Sequence, residues 1–148
     1  MIWKPNVTVA AVLERDGRFL LVEEETTLGV RFNQPAGHLE SGESILAAVA
    51  REVLEESAYH FVPQHLLGVY LWHSAESDTT YLRFAFTGDL VGHEAARPLD
   101  SGILQAIWLT PEQIRSTQEQ HRSPLVLRCV EDCMAGKRYP LDLLVHYD

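Results

Sequence analysis

The segment GHLESGESILAAVAREVLEESAY, from Gly37 to Tyr59, reads as a loop running into an amphipathic helix from about Glu43 to Ser57. An α-helix turns about 100° per residue. Glu52, Glu55 and Glu56, at i, i+3 and i+4, therefore fall within roughly a third of its circumference. Ile45, Leu46, Val49 and Val53 form the adjacent apolar stripe that would pack on a sheet. The three carboxylates thus stand at the edge of the buried face. Like charges this close repel by a few tenths of a kcal/mol per pair even when solvated, so roughly that much per contact must be offset. A helix that needed only solubility would intersperse lysine. The helix has one basic residue, Arg51, which a simple helical projection points away from the mean direction of the three acids.

A hard divalent cation removes that repulsion. Mg²⁺ takes oxygen ligands, accepts few protein carboxylates and keeps positions for water and substrate phosphates; Mn²⁺ is the ion that can substitute. Such an ion neutralises phosphate oxygens and activates water, and a carboxylate left free of it can take the proton. A solvated acidic face is the plainer reading of a bare acidic cluster. Two features argue against it. Gly37 lies in a loop, Gln34-Pro35-Ala36-Gly37, where backbone can approach a ligand closely. Glu43 and Arg51, two turns apart, carry charges suited to orient one another or the carboxylates.

Outward from the helix, the chain reads as one α/β domain over residues 1–148. Val7–Leu13 and Phe19–Val22, joined by the turn Arg15-Asp16-Gly17-Arg18, are expected to pair as a hairpin. Leu66–Trp72, Tyr81–Phe86 and Leu104–Leu109 read as further strands. A second helix should start at Thr110-Pro111-Glu112-Gln113 with a capping box, and a third at Ser123-Pro124, ending at Gly136. Strands interleaved with three helices indicate a mixed sheet with helices on its faces.

Hydrophobic residues make up 46% and charged residues 22% of the 148, ordinary values for a folded domain. The net charge of −9 argues against nucleic acid as a partner, because phosphate neutralisation needs a basic face. No apolar run reaches the roughly 20 residues of a membrane span, and the opening residues, Met1 to Pro5, do not read as a signal peptide. Cys129 and Cys133, four apart, read as small core residues of a protein in a reducing cytoplasm. An acidic protein can still bind a phosphorylated small molecule through a divalent cation.

The spacing of Gly37, Glu43, Arg51-Glu52-Val53 and Glu55-Glu56 resembles the Nudix box. Chance agreement across the chain is on the order of 10⁻⁵. The resemblance implies an α/β/α sandwich around a mixed sheet with a loop–helix–loop metal site. It implies that the Gly37 carbonyl and the carboxylates of Glu52, Glu55 and Glu56 are metal ligands, supported by Arg51 and Glu43. It also implies a further acidic residue in the loop before the last core strand, Pro98-Leu99-Asp100-Ser101-Gly102. Gly102 stands at the expected position, six before Trp108, and Asp100 is the nearest acid, so Glu55, Glu56 and Asp100 are all candidates for the base. The helix carboxylates, already beside the metal, are favoured. The family pattern has Gly where Ala58 stands and an aliphatic residue where Tyr59 stands. Ala58 must either adopt a left-handed conformation at a cost of about 1 kcal/mol or close the helix differently.

Outside the box, Asn33–Glu40, Leu82-Arg83-Phe84, Arg122–Val126 and Arg138–Leu141 resemble the NudJ-type phosphatases of this superfamily. That likeness implies hydrolysis of nucleoside tri- and diphosphates and of hydroxymethylpyrimidine diphosphate. Arg83, on the strand face of Tyr81, is either a rim salt bridge or a clamp on substrate phosphate. Tyr81 and Arg138 are further candidate substrate contacts, although a cation after a helix end is also favoured by the helix dipole. Trp3, Trp72 and His73 could stack on a heteroaromatic ring or pack as edge aromatics. A nucleotide-sugar or dinucleoside polyphosphate hydrolase remains an alternative. So does a nucleotide-sensing module without turnover, against which the complete carboxylate set argues.

Overall fold

The computed structural model describes residues 1–148. Its strands are β1 (Asn6–Ala11), β2 (Glu14–Arg15), β3 (Arg18–Thr26), β4 (Gly29–Asn33), β5 (Ala36–His38), β6 (Tyr59–Ser74), β7 (Thr79–His93) and β8 (Ile103–Leu109). Its α-helices are α1 (Ile45–Ser57), α2 (Pro111–Ser116) and α3 (Leu125–Met134). The strands form two sheets. One has the order β5-β1-β7-β6 and is mixed, with β1 parallel to β7 and the other pairs antiparallel. In the other, β3 pairs antiparallel with β2, β4 and β8.

Apolar runs continuous rather than alternating mark strands covered on both faces. Neighbouring residues accordingly enter different cores. Leu20, Leu66 and Phe86 join Val9, Ala48, Val49 and Val53 beneath α1. Phe19, Leu21, Leu67 and Ala85 join Ile114, Val126, Cys129 and Val130 beneath α2 and α3. The result is an α/β/α sandwich. Both cysteines are buried and unpaired. No helix is long and apolar enough to cross a membrane.

The expected hairpin is corrected in its pairing. β1 leaves for the first sheet, where Val9 faces Phe84 of β7. Only the short β2 folds back on β3, through Asp16 and Gly17, whose φ values of 52° and 78° suit a tight two-residue turn. The chain changes sheets at Val12-Leu13, both buried. Of the two helix caps read from the sequence, that of α2 forms, whereas α3 starts one residue late, with Pro124 at its N-cap position and no side-chain cap. Ser44 caps α1 by accepting from Ala47 N at 3.1 Å, and the Thr110–Gln113 capping box of α2 is complete. Gly136, at φ 82°, follows α3. At the exit of α1, Ala58 is left-handed (φ 63°, ψ 12°), and its N–H donates to Leu54 O at 3.0 Å. The chain thus keeps a glycine-type helix ending without the glycine.

Candidate active site

Helix α1 carries the acids along one edge of its buried face and crosses close to β5, the strand that contains Gly37. A Cβ at Gly37 would overlap the Glu52 carboxylate, so only glycine lets the loop lie this close to the helix. One residue earlier, Ala36 N donates to Glu56 Oε1 at 2.9 Å.

Arg51 does not point away from the acids, as the helical projection suggests. Its long side chain curls along the helix to meet them. Nε and Nη2 bind the two oxygens of Glu43 at 3.0 and 2.7 Å, a bidentate pairing. Nη1 reaches Glu52 Oε1 at 2.7 Å and Glu55 Oε2 at 3.3 Å. Nη2 also donates to His38 O at 3.0 Å, tying the helix to the loop behind Gly37. One guanidinium thus serves several carboxylates, with exposed Glu40 a further neighbour at 3.4 Å.

The ionisation pattern follows from that imbalance. The hydrogen bonds from Arg51 hold the Glu43 carboxyl below the usual range. Burial pushes Glu52 up to about 7 against the pull of Arg51, and the charges of Glu55 and Asp100 push the same way. Burial raises Glu56 to about 9 despite the bond from Ala36, with Glu52 and Glu24 adding repulsion. Glu55 is raised by burial and by Asp100. Carboxylic acids this reluctant to ionise, gathered in one place, are what a cation would relieve.

The loop before β8 completes the group. Asp100 N donates to Glu55 O at 2.9 Å. Carboxylate oxygens of Glu52, Glu55 and Asp100 all lie within 4.8 Å of one another. Glu56 lies outside that trio, deeper, with its oxygen engaged by Ala36 N. Gly102, at φ 90°, gives its carbonyl to Glu25 N and leaves the acid role to Asp100. This donor set of oxygens alone, half buried and net negative, fits a hard divalent cation.

The candidate substrate residues lie elsewhere. Tyr81 stacks on Trp72 with ring centroids 5.8 Å apart. Trp72 lines a cleft of about 480 Å³ with His121, Arg122, Ser123 and Arg128. Arg83 makes no salt bridge at a rim. It is buried beneath the loop and bonds Gln34 and Asn33. Arg138 donates to Cys133 O and Lys137 O at the end of α3, and none of its hydrogen bonds goes to the carboxylate group. Trp3 is largely exposed near the start of β1. His73 pairs with Asp78 in the β6–β7 turn.

Two residues escaped the sequence reading. Arg122 Nη1 binds Glu24 Oε1 at 2.6 Å, linking the cleft to a carboxylate whose charge reaches Glu56. Gln34, 1% exposed, donates to Val126 O. Its signal was a pair of consecutive amides, Asn33-Gln34, just ahead of Gly37.

A family model of the NUDIX domain matches residues 3–129. Phosphatase NudJ of Escherichia coli strain K12 is 39% identical over 143 residues, covering 97% of this chain and 92% of the relative. A solved NUDIX hydrolase from Nitrosomonas europaea is 54% identical, with a TM-score of 0.95 over 97% of this chain and 98% of that one. The NUDIX domain of Shewanella oneidensis NrtR, solved with ADP ribose, is 18% identical at a TM-score of 0.72, covering 91% and 90%, a likeness of fold alone. Box, fold and matched length agree, and the chain belongs to the Nudix family as a hydrolase.

Proposed function

We propose that the enzyme hydrolyses a phosphoanhydride bond of small organic di- and triphosphates, with Mg²⁺ (or Mn²⁺) held by Glu52, Glu55 and Asp100. The observation that carries this reading is the convergence of those three carboxylates within 4.8 Å of one another, beside the close approach of Gly37. Glu56 and the Gly37 carbonyl would be further oxygen donors to the ion. When bound, the ion supplies charge neutralisation at the phosphate oxygens and a more acidic water.

The chain's own residues do the rest. Arg51 fixes Glu52 and Glu55 in orientation, and Glu43 fixes Arg51. Water adds to phosphorus, the bridging P–O bond breaks, and the water proton passes to a carboxylate. Glu55, partly solvent-exposed between Arg51 and Asp100, is our choice of acceptor, through the carboxylate oxygen that it would not give to the ion. Glu56, the deepest acid, keeps the Ala36 amide in place. The stacked Tyr81 and Trp72 beside the cleft offer a platform for a heteroaromatic ring, Arg122 in the cleft offers charge to phosphate, and Arg138 at the end of α3 is a further candidate cation.

The substrates we propose are nucleoside tri- and diphosphates and hydroxymethylpyrimidine diphosphate, supported by the likeness to Phosphatase NudJ. Two free buried cysteines suit a cytoplasmic setting. The test is a panel of these compounds, nucleotide sugars and dinucleoside polyphosphates included, with and without Mg²⁺. Orthophosphate and pyrophosphate are assayed separately. Metal-dependent release from the simple di- and triphosphates is expected. Turnover confined to the sugar or dinucleoside compounds, or none at all, overturns the reading.

A further inference from the structure

Arg83 is a permanent cation, 6% exposed, in the first half of β7. None of the ion pairs in the molecule includes it. A buried charge without a counter-charge is costly and persists where hydrogen bonds replace the water it has lost. Those bonds converge on one place. Nη1 donates to Gln34 Oε1 at 2.9 Å and Nη2 to Asn33 Oδ1 at 2.9 Å, while Cys129 Sγ lies 3.7 Å from Nη1. Gln34 spends its amide hydrogen on Val126 O of α3 at 2.8 Å. Two consecutive side chains, at the end of β4 and the start of the β4–β5 connection, are thereby fixed from below, one by β7 alone and one by β7 and α3 together.

The same connection ends at the acids. Two residues beyond Gln34, Ala36 N holds Glu56, and the next residue, Gly37, lies against the Glu52 carboxylate with no room for a side chain. Pro35, buried, stiffens the span between. We propose that Arg83 is a positioning residue for the reaction. Its planar fork locks Asn33 and Gln34, and through them sets the depth at which Ala36 and Gly37 meet Glu56 and Glu52. Lysine would keep the charge but cannot span two acceptors in one plane. The consequence for cation binding rests on the function proposed above. The consequence for the Ala36 amide does not.

Arg83→Lys is the decisive variant, with Asn33→Ala as a milder companion that breaks one arm of the fork should Arg83→Lys not fold. In the metal-free protein, hydrogen exchange at the Ala36 amide should speed up about tenfold while amides of α1 stay protected. Mn²⁺ titrated by electron paramagnetic resonance should bind about tenfold more weakly, as expected when a residue supporting the ligands is altered. At saturating Mg²⁺ the KM for substrate should be that of the wild type. A raised KM with unchanged Mn²⁺ affinity would make Arg83 a substrate contact and overturn the inference. A lowered melting temperature with wild-type exchange at Ala36 and wild-type Mn²⁺ binding would reduce it to a core residue. Failure of the wild-type protein itself to bind Mn²⁺ would overturn the proposed function instead, leaving the exchange result to decide the role of Arg83.

Discussion

Two acidic clusters in this molecule are built on opposite plans. On α3, one carboxylate, Asp132, receives Tyr70 Oη at 2.7 Å, Arg128 Nε at 3.1 Å and Lys137 Nζ at 3.1 Å. Burial alone would raise its pKa, yet the bonds from Tyr70, Lys137 and Arg128 more than offset this and hold it below the ordinary value. On α1 the ratio is reversed. Arg51 is the one cation among Glu43, Glu52 and Glu55, Asp100 joins them from the loop, and Glu52, Glu55 and Glu56 are all pushed up. Asp132 in one group and Glu52 and Glu56 in the other are alike buried, so burial does not separate structural acids from functional ones. What separates them is charge balance. The α3 cluster is complete as it stands, whereas the α1 cluster carries negative charge that the protein does not neutralise.

The largest effect expected from this contrast is on turnover. Glu52→Gln and Glu55→Gln should each lower kcat by at least ~10²-fold in folded protein, since each removes a candidate ligand or proton acceptor. Asp100→Asn, on an exposed loop, should weaken Mg²⁺ activation but cost less than about tenfold in kcat once Mg²⁺ saturates. Asp132→Asn should leave kcat untouched. If Asp132→Asn and Glu52→Gln lose activity alike, charge balance does not tell the clusters apart.

The clusters should also have opposite pH signatures in metal-free protein. Glu56 is raised to about 9 and Glu52 to about 7, from 4.5 in the unfolded chain. Between roughly pH 5 and 9 the unfolded state has released protons that the native state still holds, so stability falls as pH rises. Asp132 is lowered, so its contribution is present above 3.8 and disappears as pH falls through its native value. Denaturation midpoints across pH test both signs. Glu56→Gln should flatten the alkaline decline, Asp132→Asn should flatten the acid one, and saturating Mg²⁺ should abolish the first alone. An alkaline decline unchanged in Glu56→Gln would refute the assignment.

Next in size is the stability of the α3 cluster itself. Asp132→Asn keeps one acceptor but loses the charge that answers Arg128 and Lys137. A loss of about 1–3 kcal/mol at pH 7, read by urea denaturation, is expected.

The acidic edge of α1 was legible because helical spacing alone puts Glu52, Glu55 and Glu56 together. Its loop was legible through Gly37. Other features were not, for physical reasons. The run Val7–Leu13 looks the same whether it pairs with β3 or with β7, because an apolar strand buried on both faces carries no mark of its neighbour. A helical projection fixes where Cβ points, not where a side chain as long as that of Arg51 ends. Asp100 is tied down through its backbone, its N–H donating to Glu55 O of the helix and its carbonyl accepting from Ile103 N, contacts that spacing from Trp108 cannot supply. Arg83 read as a rim salt bridge or a phosphate clamp because an arginine buried among amides is uncommon.

Ala58 supplies the smallest expected effect, at the junction where α1 hands the chain to β6. Its φ of 63° places a methyl group in a conformation that L-residues enter at a cost of roughly 1–2 kcal/mol and glycine enters freely. Relief of that strain favours Ala58→Gly. Two terms oppose it. The residue is 3% exposed, so the lost methyl forfeits up to about 0.8 kcal/mol of burial, and glycine enlarges the entropy of the unfolded chain. The backbone bonds at this point, Ala58 N to Leu54 O and Glu94 N to Ala58 O, survive the change. A net gain of a few tenths of a kcal/mol is therefore expected, with kcat and Mg²⁺ activation unchanged because no carboxylate moves. Ala58→Val sharpens the test, since a β-branched residue is disfavoured far more strongly at positive φ and should destabilise clearly. Chemical denaturation of the three proteins should rank them Gly above Ala above Val. A glycine variant less stable than the wild type would mean that methyl packing, not left-handed strain, governs the exit of the helix.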